Sequence, residues 1–171
     1  VFPDAPDWEK EDGRNILRFK KGDNLLIFAP VFTRSAFDIE MEIRFDDVTE
    51  QRFLGGRESV ISAVIKDGII RSKLKGRSGT AAVSADRKIV PNRWYRMRLV
   101  YDLEKYSILL DGEVVASAPL TGRLGDGWYI SIGGEPLAER KLSKDAEKAF
   151  KARKPDAGFA FSGALRYLKV K

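Results

Sequence analysis

Asn92-Arg93-Trp94-Tyr95-Arg96-Met97-Arg98-Leu99-Val100-Tyr101-Asp102 is followed closely by Tyr106-Ser107-Ile108-Leu109-Leu110-Asp111-Gly112-Glu113-Val114-Val115. Tyr95, Met97, Leu99 and Tyr101 alternate with Arg96, Arg98 and Val100, which is the period of a strand with one apolar face. Tyr106, Ile108 and Leu110 repeat that period. Asp111-Gly112 then supplies the two positive-φ residues of a type I′ turn. The stretch predicts three consecutive β-strands, the last two closed as a hairpin.

Working outward, Ala36 to Phe45 alternates throughout. Ile39, Met41, Ile43 and Phe45 point one way, and Asp38, Glu40, Glu42 and Arg44 the other. Asn15 to Phe19 and Asn24 to Phe28 read as strands around Lys21-Gly22-Asp23. Val60 to Ile65 and Ile69 to Lys75 flank a second Asp-Gly turn at Asp67-Gly68. Thr80 to Ser84 and Lys88 to Val90 add one or two short strands, and Trp128 to Ile132 and Phe161 to Val170 complete the series.

The phase of these strands predicts a shared core of Ile39, Met41, Ile43, Tyr95, Met97, Leu99, Ile108, Leu110, Ile130 and Ile132, because a one-residue slip would bury charges. Residues 1–13 are expected to form an N-terminal arm or linker, and residues 14–171 one β-sandwich domain. An inserted helix is expected over 143–153: Ser143 caps it, Asp145 and Glu147 sit in its first turn, and basic residues crowd its end before Pro155. Leu142, Ala146, Ala149 and Phe150 would face inward.

The 171 residues suffice to bury a two-sheet core without disulfide or metal staples. The chain has no cysteine, which leaves export open, and no histidine. Imidazole bases, His-based triads, thiol nucleophiles and His- or Cys-ligated metals are therefore excluded. No apolar run is long enough to cross a membrane as a helix. The chain begins Val1-Phe2-Pro3, which predicts a processed protein or an excised domain. A net charge of +6, from 31 basic and 25 acidic residues, mildly favours an anionic partner. No helix-turn-helix, zinc-finger or aromatic-rich motif points to nucleic acid.

The order W-x-x-φ-x-φ-x-Y-D (from Trp94), φ-x-φ-D-G (from Ile108), φ-x-I-G-G (ending at Gly134) and F-x-G-x-φ-x-x-φ-x-V (from Phe161) resembles the laminin G-like, concanavalin A-like lectin/glucanase superfamily. The resemblance covers roughly residues 14 to 171. It implies an all-β, two-sheet antiparallel jelly roll, most often a glycan-binding or adhesive module and sometimes a glycanase. Trp94 matches the superfamily's structural tryptophan and is expected in the core. So is Trp128, in phase with Ile130 and Ile132.

Two strands carry candidate chemistry. Asp38, Glu40 and Glu42 resemble the E-x-D-x-E strand of laminarinase- and lichenase-type glycanases, which places nucleophile and acid/base on one face. The order here is D-x-E-x-E, and Phe37 to Ile43 equally matches the Phe-x-φ-x-φ-x-φ strand of laminin G-like modules. In that reading the acids form a solvated face neutralised by Arg96 and Arg98. The other strand bears Arg71, Lys73 and Lys75 on alternate positions, with Arg77 beyond. Cations about 7 Å apart suit successive charges of a uronate or sulfated glycan. The bland alternative is an edge strand charged against aggregation.

Trp8 and Tyr129 are candidate sugar-stacking rings. The resemblance also allows a calcium ion in rim loops. Asp23, Asn24, Asp46, Asp47, Asp102 and Asp126 are oxygens of suitable hardness, without spacing that assigns ligands.

The reading favoured is a non-catalytic glycan-binding or adhesion-type accessory module of a secreted, periplasmic or cell-surface protein. Arg71, Lys73, Lys75, Arg77, Arg96 and Arg98 would favour an anionic polysaccharide. The alternatives are a retaining β-glycanase using Asp38, Glu40 and Glu42, and a structural sandwich packed on a neighbouring domain through the basic segment 144–154.

Overall fold

A computed structural model describes residues 5–20, 23, 25–28, 36–55, 59–125, 129–133 and 161–171. These residues form thirteen strands: β1 Asp7–Glu11, β2 Arg14–Phe19, β3 Leu25–Phe28, β4 Phe37–Phe45, β5 Glu50–Leu54, β6 Ile61–Lys66, β7 Ile69–Gly76, β8 Gly79–Lys88, β9 Trp94–Tyr101, β10 Lys105–Leu110, β11 Glu113–Pro119, β12 Tyr129–Ile132 and β13 Gly163–Val170. A seven-stranded sheet runs β1-β2-β13-β4-β9-β10-β11, and a six-stranded sheet runs β3-β12-β5-β6-β7-β8. All the strand pairings are antiparallel. The architecture is the expected two-sheet jelly-roll sandwich.

The ends of the domain meet as a closed sandwich requires. Gly163, Ala164 and Leu165 of β13 pair with Phe19, Arg18 and Leu17 of β2. All ten expected core residues are buried in one cluster shared by both sheets. Across the sandwich, the buried Tyr106 hydroxyl lies 2.6 Å from Ser72 Oγ, which itself donates to the Ser62 carbonyl. That chain satisfies the buried phenol.

Three hairpins close on Asp-Gly pairs with both residues at positive φ: Asp12-Gly13, Asp67-Gly68 and Asp111-Gly112. The latter two match expectation. The first turns the segment read as an arm into an edge strand, with Asp7 to Glu11 paired against Arg18 to Arg14. Thr80 to Ser84 and Lys88, expected in one or two short strands, belong to the single strand β8. The helix expected over 143–153, its inward residues and Trp128 lie outside the described residues.

Candidate functional site

The candidate residues divide between the two outer surfaces of the sandwich. β4 sits in the seven-stranded sheet between β13 and β9, so period two turns Asp38, Glu40 and Glu42 outward among cations on both neighbours. Arg98 grips Asp38 in a two-pronged contact, with Nε 3.1 Å from Oδ1 and a terminal nitrogen 2.6 Å from Oδ2. Glu40 Oε1 accepts from Arg96 Nε at 2.6 Å and from the Tyr167 hydroxyl at 2.8 Å. Glu42 accepts from Arg166 at 2.8 Å.

The contacts of Asp38 and Glu40 shift their ionisation. The Arg98 hydrogen bond holds the Asp38 carboxyl below its ordinary range, against the opposing effect of burial. The Tyr167 and Arg96 hydrogen bonds do the same for Glu40. A retaining glycanase needs one carboxyl kept protonated by its surroundings, next to an ionised partner. The surroundings of Asp38 and Glu40 push the other way. Each acid of the strand is met by a cation or hydroxyl on a neighbouring strand.

Trp94 belongs to this same surface, which corrects its expected place in the core. Tyr95 is in phase with Met97 and Leu99, so its neighbour Trp94 faces outward, and it is only half-buried. The guanidinium of Arg166 stacks 4.0 Å from its ring centroid and that of Arg44 at 5.1 Å. Trp94 Nε1 donates to Glu11 at 3.1 Å, and Glu11 also pairs with Arg44. The edge hairpin of β1 and β2 is thereby fastened to the sheet face. Arg96 and Arg98 line an open depression with Asp111 and Gly112, but each already holds a carboxylate.

The basic stripe lies on the opposite surface. β7 belongs to the six-stranded sheet, and Arg71, Lys73 and Lys75 point outward while Ile70, Ser72 and Leu74 are buried. The six expected binding residues are thus not one site: Arg96 and Arg98 are separated from Arg71, Lys73, Lys75 and Arg77 by the whole core. The edge-strand alternative is also corrected, because β8 forms the edge and β7 lies inside it. Arg71, Lys73 and Lys75 stand opposite Ser84, Ala82 and Thr80 of β8, and Arg71 and Lys73 stand opposite Val64 and Ser62 of β6. Short side chains flank the cations on both sides. Among the described residues, neither Arg71 nor Lys73 has a carboxylate partner.

Arg77 continues the stripe in the turn after β7. Its N–H donates to the Arg123 carbonyl at 2.9 Å, beside an isolated bridge between Gly76 and Leu124. Exposed Arg123 therefore joins this end of the stripe, a residue the strand pattern does not reveal because its segment has no period of its own.

The other candidates are dispersed. Trp8 is exposed on β1, at the far edge of the other sheet, and the Tyr129 side chain lies outside what is described. For calcium, the described loop acids already serve their own surroundings. Asp23 accepts from Lys20 N–H, Asp46 holds Arg18 and Ser162, Asp47 accepts from Thr49, and Asp102 accepts from the N–H groups of Glu104 and Lys105. No group of three acidic side chains among the described residues converges as a calcium cage would require. Asn24 and Asp126 lie outside the described residues.

No protein-family model matches the chain, and no curated protein matches it by sequence. Solved structures do. Domains LG4-5 of the mouse laminin α1 chain superpose with a TM-score of 0.67 at 15% identity, over 90% of this chain and 40% of that one. The LG1-3 region of the laminin α2 chain gives 0.66 at 15% identity, over 91% and 30% respectively. The native heptameric SAP-like pentraxin of Limulus polyphemus gives 0.59 at 14% identity, over 91% and 74%. The chain has the laminin G-like, concanavalin A-like sandwich fold, and it spans two fifths or less of the laminin chains it resembles.

Proposed function

We propose that the protein is a non-catalytic binding module of a secreted or cell-surface protein, and that it holds an anionic polysaccharide on the outer surface of its six-stranded sheet. One observation carries the reading: Arg71 and Lys73 project from a rigid strand, flanked by Ser62, Ala82 and Ser84 and unopposed by acids among the described residues. Cations held at strand spacing are preorganised, so little ordering cost falls on binding. Lys75 and Arg77 extend the row. Uronate or sulfate groups would accept charge-assisted hydrogen bonds from it.

The other surface does not support a second reading as an enzyme, since Arg98, Arg96, Tyr167 and Arg166 occupy the acids a glycanase would use. The fold itself hosts many activities and carries no argument for one.

The test measures binding to heparin and to polygalacturonate at low and high salt. Affinity is expected to fall with salt, because exposed charges are screened over about 8–10 Å at ordinary ionic strength. Arg71→Ala with Lys73→Ala is expected to abolish it, and Arg96→Ala is expected to leave it intact. Salt-insensitive binding, full binding by the double variant, or no binding to either polymer overturns the reading.

A further inference from the structure

The same sheet ends in β8, which packs beside β11 of the other sheet and whose outward main-chain groups have no ladder partner among the described residues. Lys75 donates its N–H to the Val60 carbonyl at 2.8 Å, on the side of β7 that faces β6. Main-chain groups alternate sides along a strand, so Leu74 and Ser72 turn toward β8. Their partners Ala81 and Val83 make the ladder bonds, and Thr80, Ala82 and Ser84 direct N–H and C=O away from the sheet. All three are exposed. From Gly79 to Ala85 the strand carries no charge and no proline, and charged residues begin only at Asp86-Arg87-Lys88. Edge strands are ordinarily guarded by an inward or central charge, a proline or a bulge. Here the irregularity in the β7–β8 ladder falls between Ile69 and Arg71, beyond the unguarded run.

Charge selects what such an edge accepts. A strand added to β8 lies about 4.8 Å from it and about 10 Å from β7, and its outward side chains overlook the short Ala82 and Ser84. Across those residues stand Lys73 and Arg71, without carboxylate partners among the described residues. A glutamate on the added strand spans that gap. A second copy of this chain would instead bring its own Arg71 and Lys73 toward the first pair. We propose that β8 is a strand-addition site for an extended acidic segment of a partner protein, with acids at alternate positions facing Arg71 and Lys73 and main-chain bonds to Thr80, Ala82 and Ser84. The inference goes beyond glycan binding, because it requires the main-chain edge as well as the cations.

The test uses a short peptide alternating Glu and Thr, the same peptide N-methylated at alternate residues, and a Lys-Thr counterpart. The Glu-Thr peptide is expected to bind, and the Lys-Thr peptide is not. Each main-chain bond lost is worth roughly fivefold in affinity, so N-methylation and Ala82→Pro are each expected to weaken binding by at least that factor. Ala82→Pro removes an N–H that points outward, so the ladder to β7 persists. If that variant loses its fold, the N-methylated peptide on the unaltered protein decides alone. Equal binding of the methylated and unmethylated peptides, no binding of the Glu-Thr peptide, or concentration-dependent pairing of the protein that excludes the peptide overturns the proposal. Weakened binding of the N-methylated peptide to unaltered protein that binds heparin separates this site from the glycan reading. Heparin failing to bind while the peptide does so sinks only the latter.

Discussion

The two outer surfaces of the sandwich both carry charges and use them in opposite ways. On the seven-stranded sheet, charge is consumed internally through an offset register. Arg98 stands opposite Glu40 but bonds Asp38, and Arg96 stands opposite Glu42 but bonds Glu40. Glu42 is left to the other neighbour, where the ladder irregularity between Leu165 and Tyr167 brings both Arg166 and Tyr167 to the acids. On the six-stranded sheet, the cations of β7 have Ser, Ala, Val and Thr as cross-strand neighbours. A dense cluster of charge is thus the poorer candidate for binding when its members satisfy one another, and the pair Arg71 and Lys73 the better one, with no carboxylate partner among the described residues.

Both surfaces rest on one core, so the largest expected effects fall there and affect the two alike. Leu99→Ala or Ile108→Ala, each fully buried, is expected to cost about 2–5 kcal/mol in denaturant unfolding. A loss under ~1 kcal/mol would show that the inward phase of β9 and β10 is misassigned. The next effect separates the surfaces. Arg166 is 13% exposed and serves Glu42, Glu11 and the Trp94 ring together, so Arg166→Ala is expected to cost about 1–3 kcal/mol through partners left unpaired. Arg71→Ala is expected to cost almost nothing. Equal losses would abolish the contrast between a consumed and an available charge.

The strand phases were legible because alternation states which residues share a face, and all ten core residues read from that alternation obey it. Trp94 was misplaced by giving weight to a motif over that same alternation: Tyr95 is inward, so Trp94 cannot be. Asp12-Gly13 carried the hairpin signal that was read correctly at Asp67-Gly68 and Asp111-Gly112, but the proline and acids around it suggested an arm. What no local pattern contains is which sheet each strand joins. That depends on pairings between distant segments, and it is why Arg96 and Arg98 were grouped with Arg71 and Lys73 although the core divides them.

Acid sharpens the comparison further. The carboxyls of Asp38, Glu40 and Glu11 are each lowered in the folded protein by hydrogen bonds, from Arg98, from Tyr167 and Arg96, and from Arg44 respectively. A depressed folded value means that their contribution is fully present above the ordinary carboxylate range and is lost as pH falls through the folded values. Thermal stability is therefore expected to hold from neutral pH down to about pH 5 and to decline below about pH 4. Arg98→Ala should make that decline shallower, since it removes a cause of the shift at Asp38. Arg71→Ala should leave the profile superimposable on the original. An Arg71→Ala profile that changes shape would show an acid coupled to Arg71 and undo the contrast.

The smallest expected effect on stability is the most informative about binding. Arg71 and Lys73 make no ion pair among the described residues and lie on an exposed face, so Arg71→Ala with Lys73→Ala should stay within about ±0.5 kcal/mol of the original in denaturant unfolding. A slight gain is the favoured sign, because neighbouring like charges on one strand face repel one another. If stabilisation were the purpose of the stripe, removing it would show a cost, as is expected for Arg166. If the stripe is kept for a partner, the double variant keeps its melting temperature and loses the salt-sensitive affinity for heparin. Stability lost with affinity retained would reverse the roles assigned to the two surfaces.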